Sequence, residues 1–247
     1  MSRIGAPDGA LCGSVARMDD LAPDPPQTGL HLTDRPAWGY LLRDFLEMYR
    51  IIPAGGSASI RAHQRLVREK ITGVLRANPT LRMTDAATKP VTGHLQRALD
   101  QGRGTPMSRV IRSIDGLAGQ LSWQYGYDKV PRGLDQKYAY AELLGPTGPV
   151  QSDQIILGLV LFAPGCIYPT HAHDGITESY ICLSGAMSQN DQGVYVPGSM
   201  IFNLPGQMHR ITVADLEPSL LAYAWIGPPE KLLSQKMVFS RKPRKTL

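Results

Sequence analysis

Two histidines two residues apart, followed by a carboxylate and a phenol at the same offset, are the best-equipped part of this sequence for chemistry. They lie in Gly165-Cys-Ile-Tyr-Pro-Thr-His171-Ala-His173-Asp-Gly-Ile-Thr-Glu178-Ser-Tyr180. Side chains two apart in a β-strand point to one face, so His171 and His173 can share one cation. After a turn at Asp174-Gly175, Glu178 and Tyr180 repeat the offset on the next apolar run. A further segment, Gly198-Ser-Met-Ile-Phe-Asn-Leu-Pro205-Gly206-Gln-Met-His209, brings a third imidazole after a Pro-Gly turn. A lone histidine more often satisfies a core hydrogen bond. Three imidazoles and a carboxylate from separate strands suit one divalent metal ion (zinc, iron, manganese, cobalt or nickel) with room for water or substrate.

Tyr180 stands two residues after Glu178 and so faces the same way. Beside a divalent cation a phenol ionises well below its free pKa of about 10, because the cation favours the phenolate. Tyr180 is therefore a candidate general base; the plainer alternative is a tyrosine that fills core. The strands around it supply Tyr138, Tyr140, Tyr168, Tyr223 and Trp225, of which Tyr223 and Trp225 share a face. Ring faces lining a cavity suit a small onium group. Tyr140, Tyr168, Tyr223 and Trp225 are the candidates for substrate contact.

The elements that must position these residues change character along the chain. Residues 1–30, rich in Gly, Pro and Asp, read as a flexible lead-in. Residues 31–124 read as a helical extension. Trp38–Tyr49 has apolar residues at helical spacing and ends at Pro53-Ala-Gly-Gly56. Ser57 can cap a second helix through Arg61, Leu66, Val67, Ile71 and Leu75 to the break at Asn78-Pro79. Shorter helices are expected at Thr92–Asp100 and from Thr105-Pro106. From about Leu121 the pattern turns to strands: Lys137–Leu144, which puts Tyr138, Tyr140 and Glu142 on one face, then Gln154–Phe162, Glu178–Leu183, Val194–Val196, Ser199–Asn203 and Ser219–Ile226. Many short strands with Gly/Pro punctuation fit a closed sandwich or barrel over residues 125–247.

Composition sets the bounds. With 247 residues, 43% of them apolar and 19% charged, the chain is a core-forming globular protein. Its net charge of +5 is partly the tail Arg241-Lys-Pro-Arg-Lys245, a solvated segment that implies no nucleic-acid partner. No apolar run reaches the roughly 20 residues of a membrane span, and the N-terminus lacks a secretory pattern. Three cysteines without a close pair give no disulfide framework, and with it the expectation of a cytoplasmic protein.

The two metal-rich segments resemble the two cupin motifs. Gly165, His171, His173, Glu178 and Gly185 fit the first throughout. Gly198, Gly206 and His209 fit the second, although Pro205 stands one place late and Val213 replaces the usual asparagine. The resemblance implies a mainly β protein with a helical N-terminal extension, its double-stranded β-helix barrel covering roughly residues 125–230. The block His171-x-His173-x4-Glu178-x-Tyr180, the later His209, the helical extension and the run Lys89–Leu99 are similar to the cupin-type dimethylsulfoniopropionate (DMSP) lyases, closest to their DddL branch. That resemblance implies metal ligation by His171, His173, Glu178 and His209, with Tyr180 as base. The gap of four residues before Glu178, where some relatives have three, leaves open whether Tyr180 and Glu178 exchange roles. It further implies a small zwitterionic sulfonium substrate, β-eliminated to dimethyl sulfide and acrylate. A helical extension on a cupin fits a homodimer. The competing readings are an iron-dependent cupin dioxygenase and a non-catalytic cupin that binds a small anion; the second lacks the helix pair of a DNA reader.

Overall fold

Pro36, whose missing N–H costs nothing at a first helical turn, opens α1 (Pro36–Ile51). Its buried face is Trp38, Leu41, Leu42, Phe45, Met48 and Tyr49, the 3.6-residue period of the sequence. The computed structural model describes residues 29–127, 130–235 and 237–239. Most of the expected lead-in and all of the basic tail Arg241–Lys245 lie outside the described residues. Helix α2 (Ala58–Ala77) begins where Ser57 Oγ accepts from Ile60 N at 3.2 Å and ends where Asn78 turns left-handed. Its buried face differs from the periodic reading. His63 and Gln64 point inward with Val67, Ile71 and Val74, whereas Leu66 is exposed. A 3-10 turn at Pro90–His94 leads into α3 (Leu95–Arg103), and α4 spans Ser108–Leu117. Thr105-Pro106 does not start α4. Thr105 Oγ1 instead accepts from Met107 N at 3.1 Å and holds a turn ahead of it. None of the described helices is long and apolar enough to cross a membrane.

The strands are β1 (Tyr138–Gly145), β2 (Val150–Gln151), β3 (Ile156–Phe162), β4 (Ile167–His173), β5 (Thr177–Ser184), β6 (Met187–Gln189), β7 (Gln192–Tyr195), β8 (Met200–Asn203), β9 (His209–Val213), β10 (Ser219–Ile226) and β11 (Met237–Phe239). A short helix, α5 (Pro229–Ser234), precedes the last. One sheet runs β2-β1-β3-β10-β5-β8 and the other β11-β4-β9-β6-β7. Every pairing is antiparallel except β1 with β2. The described residues between Leu121 and the first strand are mostly irregular; among their contacts are the Gln124–Tyr140 and Ala87–Ser122 bridges and the Tyr127 ring against Tyr138 and Tyr168.

The six-stranded sheet is buried on both faces, each with its own core. Ala139, Ala141, Leu157, Leu159, Ile181, Leu183, Ala222 and Ala224 pack with the apolar faces of α1 to α4. Tyr138, Ile156, Phe162, Tyr180, Leu221, Tyr223 and Trp225 point the other way, toward Tyr168, Ile211 and Val213 of the five-stranded sheet. The sequences Tyr-Ala-Tyr-Ala of β1 and Ala-Tyr-Ala-Trp of β10 carry this division at period two. Alanines let the helices approach; aromatics wall the interior.

Ser179 joins the layers. It lies on β5 between Glu178 and Tyr180 but faces the helices, where its Oγ meets Tyr49 Oη at 2.8 Å and His63 Nε2 at 2.9 Å. Burial pushes the His63 imidazole down to about 4. The folded-state value lies below the unfolded one, so from pH 6.5 downward the unfolded chain takes up a proton that the folded chain refuses. Stability carried by His63 is therefore complete above that pH and lost as pH falls toward 4, on the order of 2 to 3 kcal/mol by pH 4.5. Urea unfolding at pH 7.5 and 4.5 checks this: His63→Gln should lose less stability than wild type between the two, and an equal loss would remove His63 as the source.

Candidate metal centre

Strand alternation puts His171 and His173 on the inner face of β4, and Glu178 and Tyr180 on the inner face of β5. His209, the first residue of β9, pairs directly across from His171. The three imidazoles offer ligand atoms that all lie within 4.8 Å of one another. Ring centroids are 4.2 Å apart for His171–His209, 5.1 Å for His171–His173 and 5.8 Å for His173–His209. Glu178 reaches in from the opposite sheet, its Oε1 at 3.2 Å from His173 Nε2 and its Oε2 at 3.0 Å from His209 Nε2. All four residues are buried.

Their chemistry fits a divalent cation. His171 Nδ1 lies 2.9 Å from Pro169 O and His209 Nδ1 lies 3.0 Å from Gln207 O. A carbonyl can only accept, so Nδ1 carries the proton in each and Nε2 keeps its lone pair. Nε2 of His173 and of His209 face Glu178 without an aligned hydrogen bond. Imidazole nitrogens converging beside a carboxylate are donors of the type that suits such an ion.

Electrostatics follow from burial and from the carboxylate. Burial alone would raise the Glu178 carboxyl, but His173 and His209 outweigh it and hold the group well below the usual carboxylate range. For His209 burial pulls down and Glu178 wins, so the imidazole is raised. Burial, with His209 adding to it, drives His171 down to about 3. The Tyr180 phenol is pushed far up by burial and by the charge of Glu178. Burial raises the thiols of Cys166 and Cys182 to about 12, so neither supplies a thiolate ligand.

Sequence reasoning missed what holds Glu178. Trp225 Nε1 donates to its Oε1 at 2.8 Å, and Asn203 Nδ2 donates to its Oε2 at 3.0 Å. Gln189 Nε2 donates to Asn203 Oδ1 at 2.9 Å. The register Trp225–Glu178–Asn203 puts the first three side by side. The one available signal was a polar residue at the inward position of an apolar strand, Asn203 on β8.

A cavity of about 210 Å³ opens beside the imidazoles. His171, His173, Tyr180 and all four sequence candidates, Tyr140, Tyr168, Tyr223 and Trp225, line it. So do Tyr138, Gln235 and two tyrosines from the irregular stretch, Tyr125 and Tyr127, which had no strand pattern to mark them. The rings interlock. Tyr138 and Tyr168 centroids lie 4.5 Å apart, Tyr168 meets His171 edge-on at 4.9 Å, and Trp225 lies 4.5 Å from His173. Gly158 shapes the wall, because a side chain there would collide with the phenol end of Tyr223, whose ring leans across β3.

Known proteins resemble this chain in sequence and in fold. The sequence pattern of the DMSP lyase family matches residues 63–221. A Cereibacter sphaeroides protein provisionally named dimethylsulfoniopropionate lyase DddL is 49% identical over 216 residues, covering 87% of this chain and 93% of its own. Among solved structures, the DMSP lyase DddQ from Ruegeria pomeroyi superposes with a TM-score of 0.63 at 20% identity, over 83% of this chain and 97% of that one. A chain from the structures of the DMSP lyases RdDddP and RnDddQII gives 0.60 at 21% identity, over 84% and 99%. At such identity these two share the fold, a cupin double-stranded β-helix with a helical layer. The match across nearly two thirds of the sequence and the close relative together place the chain in the dimethylsulfoniopropionate lyase family, in its DddL branch, as a carbon–sulfur lyase.

Proposed function

We propose that this protein is a metal-dependent lyase that cleaves DMSP by β-elimination to dimethyl sulfide and acrylate. One observation carries the reading: His171 and His173 of a buried three-histidine cluster and the Tyr180 phenol line the same aromatic-walled cavity. His171, His173, His209 and Glu178 would hold the ion, and their mixed nitrogen and oxygen donors accept zinc, iron, manganese, cobalt or nickel. When bound, such an ion supplies positive charge for the substrate carboxylate and for the enolate-like charge that develops beside it.

The chain's own residues do the rest. Tyr180, as the phenolate that an adjacent cation would favour against the burial and the Glu178 charge that oppose it, takes the proton from the carbon next to the carboxylate. The C–H electron pair becomes the new C=C bond, the C–S bond breaks, and its pair leaves on sulfur as dimethyl sulfide. A sulfonium leaves without help from an acid. Tyr140, Tyr168, Tyr223 and Trp225 offer ring faces to the onium group. Trp225 also fixes Glu178, so one side chain serves both ends of the site. Enclosure by aromatic side chains keeps bulk water from the developing charge.

Headspace gas chromatography tests the activity: dimethyl sulfide should form from DMSP with metal-replete protein and stop in a chelated sample. Gas that persists at full rate after chelation would remove the metal from the reaction. Tyr180→Phe should keep one metal ion per chain while turnover drops by about 10²- to 10⁴-fold, the usual range for loss of a general base. A rate like that of wild type would exclude Tyr180. Trp225→Phe retains a ring but loses the donor to Glu178, so metal affinity should fall by roughly 10- to 100-fold in competition with a chelating dye. Unchanged affinity would reduce that hydrogen bond to packing.

A further inference from the structure

We propose that Glu142 is the counter-charge for the cationic end of the ligand, which makes the cavity selective for onium carboxylates over uncharged ones of the same shape. The inference deepens the lyase reading and rests on it for the identity of the natural ligand.

Glu142 follows Tyr140 at the inward positions of β1 and is only 5% exposed. Its Oε1 accepts from Thr147 N at 2.8 Å and Gly148 N at 2.7 Å; its Oε2 accepts from Thr147 Oγ1 at 2.7 Å and Gln235 Nε2 at 3.1 Å. Two backbone N–H groups, an amide and a hydroxyl satisfy the oxygens of an acceptor-only carboxylate. None of these partners is cationic, and among the described residues no ion pair neutralises it. Buried charges are normally paired. Here the hydrogen bonds solvate the carboxylate but leave its field uncancelled.

Glu142 stands behind the cavity wall rather than in it: Gln235, which lines the cavity, donates to it, and Tyr140 and Tyr223, also in the lining, lie next to it on the sheet. Glu142, Gly158, Tyr223 and Tyr180 form one row across β1, β3, β10 and β5. At about 4.8 Å per strand, Glu142 and Tyr180 stand roughly 14 Å apart at the two ends of the row. Between them Tyr223 leans over Gly158 toward β1, and Gln235 both lines the cavity and donates to Glu142. After burial, Glu142 is the largest influence raising the phenols of Tyr140 and Tyr223, so its charge is felt at the cavity wall. The imidazole cluster marks the end for an anion. Glu142, behind the opposite wall, sets the sign of the field toward which the cationic group of a bound zwitterion turns.

Calorimetric binding of two probes to metal-replete protein separates charge from shape: 3-(trimethylammonio)propionate and its carbon isostere 4,4-dimethylpentanoate. Wild type should bind the onium about tenfold more tightly, the size expected for one charge acting across several ångströms of partly polar interior. Glu142→Gln should erase most of that preference and leave the isostere within about twofold of its wild-type affinity. Gln235→Lys, which sets a cation against Glu142 without removing it, should do the same and stands in if Glu142→Gln does not fold. A preference that survives both variants belongs to the rings and overturns the proposal. So does equal weakening of both probes, which would mean that Glu142 only holds the 145–148 turn. Binding is read without turnover, so a protein that releases no dimethyl sulfide still answers this question.

Discussion

A β-sheet covered on both faces must satisfy two solvents at once, and its only means of doing so is the alternation of side chains along each strand. The six-stranded sheet here meets that constraint by giving odd and even positions different chemistry. Leucine, isoleucine and alanine face the helices, while tyrosine, tryptophan, glutamate and asparagine face the interior. A slip of one residue in β5 would send Glu178 and Tyr180 into the helical core and bring Ser179 and Ile181 into the cavity. The register is therefore the primary determinant of the site.

Within that frame Glu178 is the point where the two sheets meet chemically. Trp225 and Asn203 hold it from its own sheet, and His173 and His209 face it from the other. A fully buried carboxylate is tolerable only with such a set of polar groups around it. The opposite end of the same sheet holds Glu142 under the same requirement, met by a turn rather than by imidazoles. The cavity between is walled by aromatics, whose bulk and flat faces bind without placing further charge inside.

What could be read from the sequence follows the range of the interactions. The ligand spacing was legible because period-two geometry is local, and α2 was legible because Ser57 and Asn78 carry their own capping chemistry. The fold class followed from the same local patterns and from the cupin motifs. The hydrogen-bond partners of Glu178 were not legible, since Asn203 and Trp225 reach it only through the pairing of β5 with β8 and β10, and Gln189 reaches Asn203 only through the packing of the second sheet. Tyr125 and Tyr127 escaped notice because they stand in irregular chain, where no period marks an inward side. His63 and Gln64 looked like the polar face of α2; their burial depends on Ser179, Ile52 O and Met200 on other elements.

The strand order has a consequence for how the molecule comes together. β10 lies between β3 and β5, yet it is made after both of them and after every proposed metal ligand. Until residues 219–226 arrive, β3 and β5 cannot share a sheet, and the two are left with open edges. The Tyr49–Ser179 hydrogen bond spans 130 residues, so closing the helical layer on β5 also waits on distant chain. Topologies dominated by such separations fold slowly. The helices are built from near neighbours, whereas the sheet closes behind the cavity only once β10 joins β3 to β5.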